Sequence, residues 1–304
     1  MSSGSSLLST FQEKLQRRFP GFAAKLPGYL QLIRFDKPIG VLLLLWPTLS
    51  ALWIAAEGLP DLDLLVIFLL GTFVMRSAGC AINDYADSRF DGNVARTSNR
   101  PLATGALRRQ DAFYCFLFFS AIGFVLVLLT NLATIMLAMG AVIVVALYPF
   151  MKRYTNLPQV VLGVAFSWGI PMAFTAQTGS VPLAAYLLFI ANCLWTIAYD
   201  TEYAMVDRED DIRLGIKSTA ILFGDADRIM IFAMQGLFVA ALIMAANQLQ
   251  LGGWFYVSLV VAMALMLYQQ FLIRDREPAE CFKAFLHNNW VGLAIFTGIV
   301  LHYF

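Results

Sequence analysis

The sequence predicts an all-α polytopic membrane protein with nine transmembrane helices. Hydrophobic residues make up 60% of the 304 residues, and charged residues make up only 13%. Globular chains carry about 25% charged residues, so this chain is far too apolar for that class. The mean hydropathy is +0.70. Apolar runs of near-membrane length recur along the whole chain and are separated by short turns or polar loops.

The apolar runs are bounded by stretches that favour turns. EGLP at 57–60, QTGS at 177–180 and the glycine pair at 252–253 predict short connections. The loops at 84–111 and 201–228 are longer and polar. Since a helix needs about 20 mainly apolar residues to cross a bilayer, the predicted spans are 39–56, 64–83, 112–130, 132–149, 159–176, 182–200, 229–246, 252–273 and 288–303.

The chain divides into two regions in this prediction. Residues 1–30 contain no apolar segment long enough for a signal peptide. We expect them to form a polar lead-in that lies on the membrane surface. Residues 31–304 form a single transmembrane domain.

The basic residues predict the topology. With nine spans, all 21 Lys and Arg fall on the side of the N-terminus, whereas the opposite connections carry only Glu57, Asp61 and Asp63. Positive residues mark cytoplasmic loops. We therefore expect a cytoplasmic N-terminus, two cytoplasmic polar loops and a periplasmic C-terminus in a bacterial inner membrane. The net charge of +1 gives no reason to expect nucleic acid as a partner.

Two acidic clusters follow apolar runs at this cytoplasmic face. The first is NDYADSRFDG at 83–92, and the second is YDTEYAMVDREDD at 199–211. Each cluster ends the second helix of a four-helix set. This weak repeat predicts a bundle built from two four-helix half-repeats plus one further helix.

The spacing of the acids predicts a metal site. Asn83, Asp87 and Asp91 are spaced i, i+4, i+8, and Asp207 and Asp211 are spaced i, i+4, so each set shares one side of a helix or of its continuation. Clustered carboxylates favour a hard divalent cation such as Mg²⁺. The alternative is a solvated acidic loop with a helix cap, but ionisable residues at the ends of spans are usually functional.

Three acids near these sets keep more than one interpretation. Asp84 and Asp200 are expected either to cap helices or to support the metal ligands. Asp210 follows Asp207 at i+3, and spacing alone does not rank it against Asp211.

Basic residues flank both clusters on the same face. The positive-inside bias alone accounts for many of them, but acids together with converging cations also describe a site for a metal and a diphosphate. Arg76 lies inside the second span, where it either pairs with an acid or binds a small anionic substrate. The candidate diphosphate-binding residues are Arg100, Lys152, Arg153 and Lys217.

The motifs identify a family. NDYADSRFDG fits the NDxxDxxxD pattern, and YAMVDREDD contains the DxxxD pattern, of the intramembrane aromatic prenyltransferases of the UbiA superfamily. DKPIGVLLLLWPTLSALW, RTSNRPLATG, YPFMKRYTNLPQVVLG and GIKSTAILFG resemble its 4-hydroxybenzoate branch. The resemblance covers residues 30–304. It implies metal-binding roles for Asn83, Asp87, Asp91, Asp207 and Asp211, a diphosphate role for Arg153 and an acceptor role for Arg76.

The resemblance also implies a reaction. A polyprenyl group would pass from polyprenyl diphosphate, with Mg²⁺, to the ring carbon beside the hydroxyl of 4-hydroxybenzoate. The product would be 3-polyprenyl-4-hydroxybenzoate, a ubiquinone precursor. Tyr148, Trp168 and Tyr203 either shield the carbocation or simply pack in the bundle. The base is unassigned: an acid of the cluster or the released diphosphate would serve.

Two alternatives compete with this interpretation. A transporter is the first, since transporters also carry repeats and intramembrane charges. The acids here gather at one face, which favours the transferase. The second alternative keeps the reaction and changes the acceptor, for example to homogentisate or dihydroxynaphthoate.

Overall fold

The computed structural model describes residue 18 and residues 20–89, 91–94 and 96–304. Residues 1–17 and residue 19, most of the predicted lead-in, lie outside this description. The regular structure of the described part is helical: α1 (Pro20–Leu32), α2 (Ile39–Ala55), α3 (Leu62–Asp87), α4 (Arg109–Leu128), α5 (Leu132–Met151), α6 (Pro158–Ser167), α7 (Gly169–Thr178), α8 (Leu183–Val206), α9 (Arg208–Leu214), α10 (Thr219–Phe223), α11 (Asp227–Leu249), α12 (Gly253–Leu272) and α13 (Pro278–Tyr303), with 3₁₀ turns at Asp91–Asn93, Gly224–Ala226 and Ile273–Asp275.

The multi-pass membrane architecture is confirmed. Among the described residues, eight helical segments are long and apolar enough to cross a membrane, and α2 is a shorter apolar helix of 17 residues. Each of the nine predicted spans falls on one of these segments. The count of nine spans and the half-repeat relationship stay predictions. The eight segments are Leu62–Asp87, Arg109–Leu128, Leu132–Met151, Pro158–Thr178, Leu183–Val206, Thr219–Leu249, Gly253–Asp275 and Pro278–Tyr303.

Local chemistry fixes several helix ends. Asn131 caps α5 by accepting a hydrogen bond from the Thr134 N–H at 3.0 Å. Pro158 and Pro278 begin α6 and α13, where a missing N–H costs nothing. Gly215 ends α9 with a φ of +67°, a left-handed conformation that favours glycine.

The fifth predicted span is interrupted at Trp168, between α6 and α7. Pro171 lies in the first turn of α7 and lacks the N–H that would bond to the Ser167 carbonyl. The Ser167 hydroxyl donates to the Gly163 carbonyl at 2.7 Å. At the break, the Trp168 indole N–H donates a hydrogen bond to the Leu137 carbonyl of α5 at 2.7 Å. This hydrogen bond connects the interrupted span to α5.

Helix α8 lies at the centre of the bundle. It packs against α6, α11 and α13. On one side of it, the Trp195 indole N–H donates to the Asn288 Oδ1 at 2.8 Å, and the Asn288 Nδ2 donates to the buried Glu202 carboxylate at 2.9 Å. This chain of polar contacts fixes the rotation of α8 against α13, and with it the direction that its other side chains face.

Helix α1 packs on α3 rather than standing apart. Leu32 is fully buried and belongs to an apolar cluster with Ala78 of α3 and Leu107. The helix crosses the boundary predicted at residue 30, so the end of the lead-in is joined to the helix that carries the first acid set.

The packing predicts a large effect for Gly292→Ala in α13. A Cβ at Gly292 would lie 2.6 Å from Trp46 Cδ1 and 2.8 Å from Trp195 Cη2, and both indoles are held by hydrogen bonds. Overpacking of this kind costs about 1–3 kcal/mol. We expect a lower midpoint of thermal unfolding in detergent.

The matched control is Gly236→Ala in α11, where a Cβ meets nothing within 4 Å. There alanine should leave the protein as stable or raise its stability by up to about 1 kcal/mol through helix propensity. Equal midpoints for the two variants would contradict the packing of α2, α8 and α13.

Candidate active site

Two adjoining cavities lie at the end of the bundle where α3 and α8 end. The smaller has a volume of about 130 Å³ and is lined by all five predicted metal-site residues. The larger, of about 810 Å³, extends into the bundle among mainly apolar side chains. The residues that line both cavities are Asn83, Arg96, Arg100, Tyr148, Asp200 and Tyr203.

The first acid set begins on the last turns of α3. Asn83 and Asp87 share one helix face, and the Asn83 Nδ2 donates to Asp87 Oδ2 at 3.2 Å. Lys152, which follows α5, places its Nζ 2.5 Å from the same carboxylate oxygen. The other oxygen, Oδ1 of Asp87, is buried and has no hydrogen-bond partner within the described chain. One coordination position on this carboxylate is therefore unused by protein groups.

Asp91 continues the set beyond the helix, in the 3₁₀ turn. The Arg100 guanidinium donates to both of its oxygens at 3.0 Å. Burial raises the pKa of Asp91 above its ordinary value; the Arg100 charge opposes the rise, and the Asp87 and Asp84 carboxylates reinforce it. This concentration of negative charge favours an added cation.

Asp84 has a separate position behind the first set. It is fully buried and does not line the smaller cavity. Its Oδ1 accepts from Arg34 at 2.7 Å and lies 3.1 Å from the Arg100 Nη1. Asp84 therefore supports Arg100 and joins α3 to the connection after α1. This agrees with the expectation that Asp84 supports the metal ligands, and not with the expectation that it caps a helix.

The second acid set lies at the junction of α8 and α9. Asp207 receives hydrogen bonds from the Arg96 guanidinium, which also lies 4.5 Å above the Tyr203 ring. The Asp211 N–H donates to the Asp207 carbonyl at 2.8 Å, so the two acids are one turn apart. Burial raises the pKa of Asp211 to about 6, and the Asp207 carboxylate adds to the effect.

The structure separates Asp211 from Asp210. Asp211 lines the smaller cavity. Asp210 does not line it, and its carboxylate lies 3.7 Å from Arg213 on the outer side of α9. Of the two acids that spacing alone does not rank, Asp211 is therefore the one that lies at the predicted metal site.

The four basic candidates are placed differently. Arg100, Lys152 and Lys217 line the smaller cavity, and the Lys217 backbone N–H donates to the Lys152 carbonyl at 3.0 Å. Arg153 lines neither cavity; its guanidinium donates to the Ala86 carbonyl at 2.5 Å and lies 5.5 Å from the Phe150 ring centroid. In this geometry Arg153 holds the end of α3 in place.

Arg76 lies in the wall of the larger cavity. No acid in the described part of the chain forms an ion pair with it. Its Nε is buried without a hydrogen-bond partner, and the guanidinium lies 5.9 Å from the Phe166 ring centroid. Gly40 makes room for this cation, because a Cβ there would lie 2.7 Å from the Arg76 Nη2. The arrangement supports the anion-binding alternative for Arg76.

The donor set fits Mg²⁺ bound together with a phosphate-bearing substrate. Within the described residues, no three Asp, Glu, His or Cys side chains form a cluster that could hold an ion alone. Mg²⁺ typically uses one or two carboxylates, waters and substrate phosphate oxygens. The unpartnered oxygen of Asp87 and the two facing acid sets meet that requirement.

Several site residues were not predicted from the sequence. Arg34 carries no motif signal, and Arg96 and Gln159 lie in stretches that resemble the family but indicate no role for either residue. Their roles depend on contacts between distant segments: Arg34 with Asp84, Arg96 with Asp207, and Gln159 with the Thr219 N–H.

Comparison with known proteins identifies the class. The chain matches the UbiA prenyltransferase family over residues 44–291 and belongs to that family, so it is a prenyltransferase. It is 59% identical over 275 residues to a 4-hydroxybenzoate octaprenyltransferase of Pseudomonas aeruginosa strain LESB58, covering 90% of this chain and 93% of that protein. A 4-hydroxybenzoate octaprenyltransferase of Saccharophagus degradans is 56% identical over 292 residues, covering 96% of this chain and 98% of that protein.

Solved structures share the fold. The apo structure of a UbiA homolog from Aeropyrum pernix K1 superimposes with a TM-score of 0.76 at 25% identity, covering 86% of this chain and 97% of that one. A UbiA homolog from Archaeoglobus fulgidus bound to GPP and Mg²⁺ gives a TM-score of 0.68 at 19% identity, with 89% and 99% coverage. The predicted family and enzyme class are thus confirmed.

The contacts of Asp84 predict that Asp84→Asn destabilises the protein. The substitution leaves the Arg34 and Arg100 charges without their shared buried partner. Breaking a buried pair costs about 3–5 kcal/mol. We expect a clearly lower unfolding midpoint in detergent without substrates.

Glu209→Gln is the control, because Glu209 and its partner Arg213 are both largely exposed. An exposed pair contributes at most about 1 kcal/mol. A midpoint for Asp84→Asn that equals that of Glu209→Gln would show that Asp84 does not support the site.

Proposed function

We propose that this protein transfers a polyprenyl group from polyprenyl diphosphate to the ring carbon beside the hydroxyl of 4-hydroxybenzoate, with Mg²⁺. The observation that carries the proposal is the pair of adjoining cavities. One is small, acidic and rimmed by cations, and the other is large and mainly apolar. The names of the relatives at 56% and 59% identity support the choice of acceptor.

The smaller cavity suits a metal-bound diphosphate. Asn83, Asp87 and Asp91 would hold Mg²⁺ from one side, and Asp207 and Asp211 from the other. Bound there, Mg²⁺ would neutralise the diphosphate and favour its departure. Arg100, Lys152 and Lys217 supply charges for the remaining phosphate oxygens. We assign no phosphate contact to Arg153 because it lines neither cavity.

The larger cavity suits the prenyl tail. Its walls include Phe68, Met172 and Trp168, and also Phe124 and Met139, which are exposed on the outer surface of α4 and α5. A long tail therefore has an apolar path with lipid at its side. The Tyr148 and Tyr203 rings stand where the two cavities meet, in a position to shield a developing allylic cation from water.

The acceptor belongs near Arg76. The buried guanidinium, with no acid partner in the described part of the chain, would pair with the carboxylate of 4-hydroxybenzoate. This would hold the ring between the apolar cavity and the diphosphate. The electron-rich carbon beside the hydroxyl then attacks the allylic carbon as the diphosphate leaves, and loss of a ring proton restores aromaticity.

We also propose where the protein lies in the cell and which pathway its product enters. The basic residues favour a bacterial inner membrane, with the N-terminus and both cavity-lining loops in the cytoplasm and the C-terminus in the periplasm. The product would enter ubiquinone biosynthesis.

The two acid sets predict loss of turnover in Asp87→Ala and in Asp207→Ala. Each removes a carboxylate from one side of the smaller cavity. We expect at least a 100-fold loss in kcat, about the effect of removing a group that stabilises transition-state charge. The assay uses membranes with 4-hydroxybenzoate, a polyprenyl diphosphate and Mg²⁺, and detects 3-polyprenyl-4-hydroxybenzoate.

The control is Glu209→Ala, which removes an exposed acid between the two ligands of the second set. It should retain wild-type turnover, and all three variants should insert normally. Normal turnover in either ligand variant would refute the metal site. Transfer by the wild type to a different aromatic compound, with none to 4-hydroxybenzoate, would refute the acceptor.

Arg76→Ala should raise the KM for 4-hydroxybenzoate, and Gly40→Ala should do the same by displacing the guanidinium. A lost charge-assisted hydrogen bond costs about 1.5–3 kcal/mol, which corresponds to a roughly 10- to 100-fold change. The KM for the diphosphate should change little. An increase confined to the KM for the diphosphate would show that Arg76 acts on the diphosphate and not on 4-hydroxybenzoate. Gly236→Ala, on the outer face of α11, serves as the control.

A further inference from the structure

Asp200 stands out because it lines both cavities. Among the described residues it is the only carboxylate that does so. Asp87, Asp91, Asp207 and Asp211 line the smaller cavity alone, and Asp36 and Asp84 line the larger one alone. The carboxylate of Asp200 is therefore placed at the junction where the prenyl carbon and the aromatic ring would meet.

The partners of Asp200 differ from those of the other acids. The carboxylates of Asp84, Asp87, Asp91 and Asp207 each contact a cation directly. Asp200 forms no direct ion pair in the described structure, and it shares the wall of the smaller cavity with the neutral amide of Gln159. The Gln159 Oε1 is occupied, because it accepts a hydrogen bond from the Thr219 N–H at 3.1 Å.

Three cations line the cavities that Asp200 joins. Arg76 and Arg96 line the larger cavity, and Arg96 and Lys152 line the smaller one. Since none of them is bonded to the Asp200 carboxylate, its oxygens stay available to take a proton, which is what a general base requires.

We propose that Asp200 is the base that accepts the proton from the aromatic ring during prenyl transfer. The inference rests on the proposed function. It assigns a residue to the loss of the ring proton, for which the proposed function names none. Asp211 is the other acid in the wall of the smaller cavity for which the described structure has no direct ion pair. It is a poorer choice because it does not line the cavity that would hold the ring.

The bond between the allylic carbon and the diphosphate oxygen breaks, and its electron pair leaves with the diphosphate. A ring π pair forms the new carbon–carbon bond at the carbon beside the hydroxyl. The carbon–hydrogen bond at that carbon then breaks, its electrons restore the aromatic ring, and the proton passes to an Asp200 oxygen. The proton is lost to solvent or to the departing diphosphate before the next turnover.

The test compares Asp200→Asn with Glu209→Gln. Glu209 lies beyond the end of α8, is largely exposed and lines neither cavity. Each enzyme is assayed with ordinary 4-hydroxybenzoate and with 4-hydroxybenzoate carrying deuterium at both carbons beside the hydroxyl. Diphosphate release and prenylated product are measured together.

We expect Asp200→Asn to lower kcat for product by about 10²- to 10⁴-fold, the usual contribution of a general base. The KM for the diphosphate should stay within a factor of about two, which corresponds to less than 1 kcal/mol. Deuterium should slow product formation by Asp200→Asn more than by the wild type, because proton loss becomes rate-limiting. Glu209→Gln should match the wild type in both measurements.

Asp200→Glu covers the case in which the asparagine variant does not fold. It keeps a carboxylate on a longer stem and should retain more turnover than Asp200→Asn or Asp200→Ala. Wild-type turnover in Asp200→Asn would overturn the proposal. Slow turnover with no larger isotope effect would also overturn it and would favour the released diphosphate as base. No product from the wild type would refute the proposed acceptor instead.

Discussion

Charge compensation at one end of the bundle is the constraint on which the rest of this structure depends. The two clusters at 83–92 and 199–211 contain nine acids on or just beyond α3 and α8. Five of these line the smaller cavity, namely the four predicted carboxylate ligands and Asp200. Uncompensated, they would repel one another and would be costly to bury. Arg100 bridges Asp84 and Asp91, Lys152 holds Asp87, and Arg96 holds Asp207. Because these cations come from the loop after α3 and from the end of α5, the charges also fold the loop over the cavity.

Helix α8 connects this polar end to the apolar bundle by presenting different groups on different sides. Asp200 and Tyr203 face the cavities, while Glu202 is fully buried and bonded to α13 through Asn288. Adjacent positions on a helix are rotated by about 100°, so fixing Glu202 and Trp195 against α13 also fixes the direction of Asp200. A polar contact far from the chemistry thereby sets the geometry of the site, which explains why buried polar residues are retained in so apolar a chain.

Much of this organisation was predictable, for reasons that particular residues make clear. Helical periodicity placed Asn83, Asp87 and Asp91 together, and the charge asymmetry placed both acid sets at one face. The span predicted at 288–303 was shorter than α13, because Glu280 and Lys283 lower the local hydropathy, yet they form an i, i+3 pair that continues the helix. Sequence adjacency treated Lys152 and Arg153 alike, but they diverge where α5 ends. Contacts such as Arg34 with Asp84 and Gly40 with Arg76 depend on tertiary proximity, which no local pattern contains.

The GIKST segment at 215–219 shows how a stretch without an acid can organise the acids. Its Lys217 N–H donates to the Lys152 carbonyl, and Lys152 in turn holds Asp87 of the first set. Its Ser218 caps α10, and the Thr219 N–H that follows donates to Gln159, which lines the smaller cavity together with Asp200. One short segment therefore supports both the diphosphate side and the acceptor side of the site. A shift of this segment would therefore disturb Lys152 and Gln159 together, and both residues line the smaller cavity.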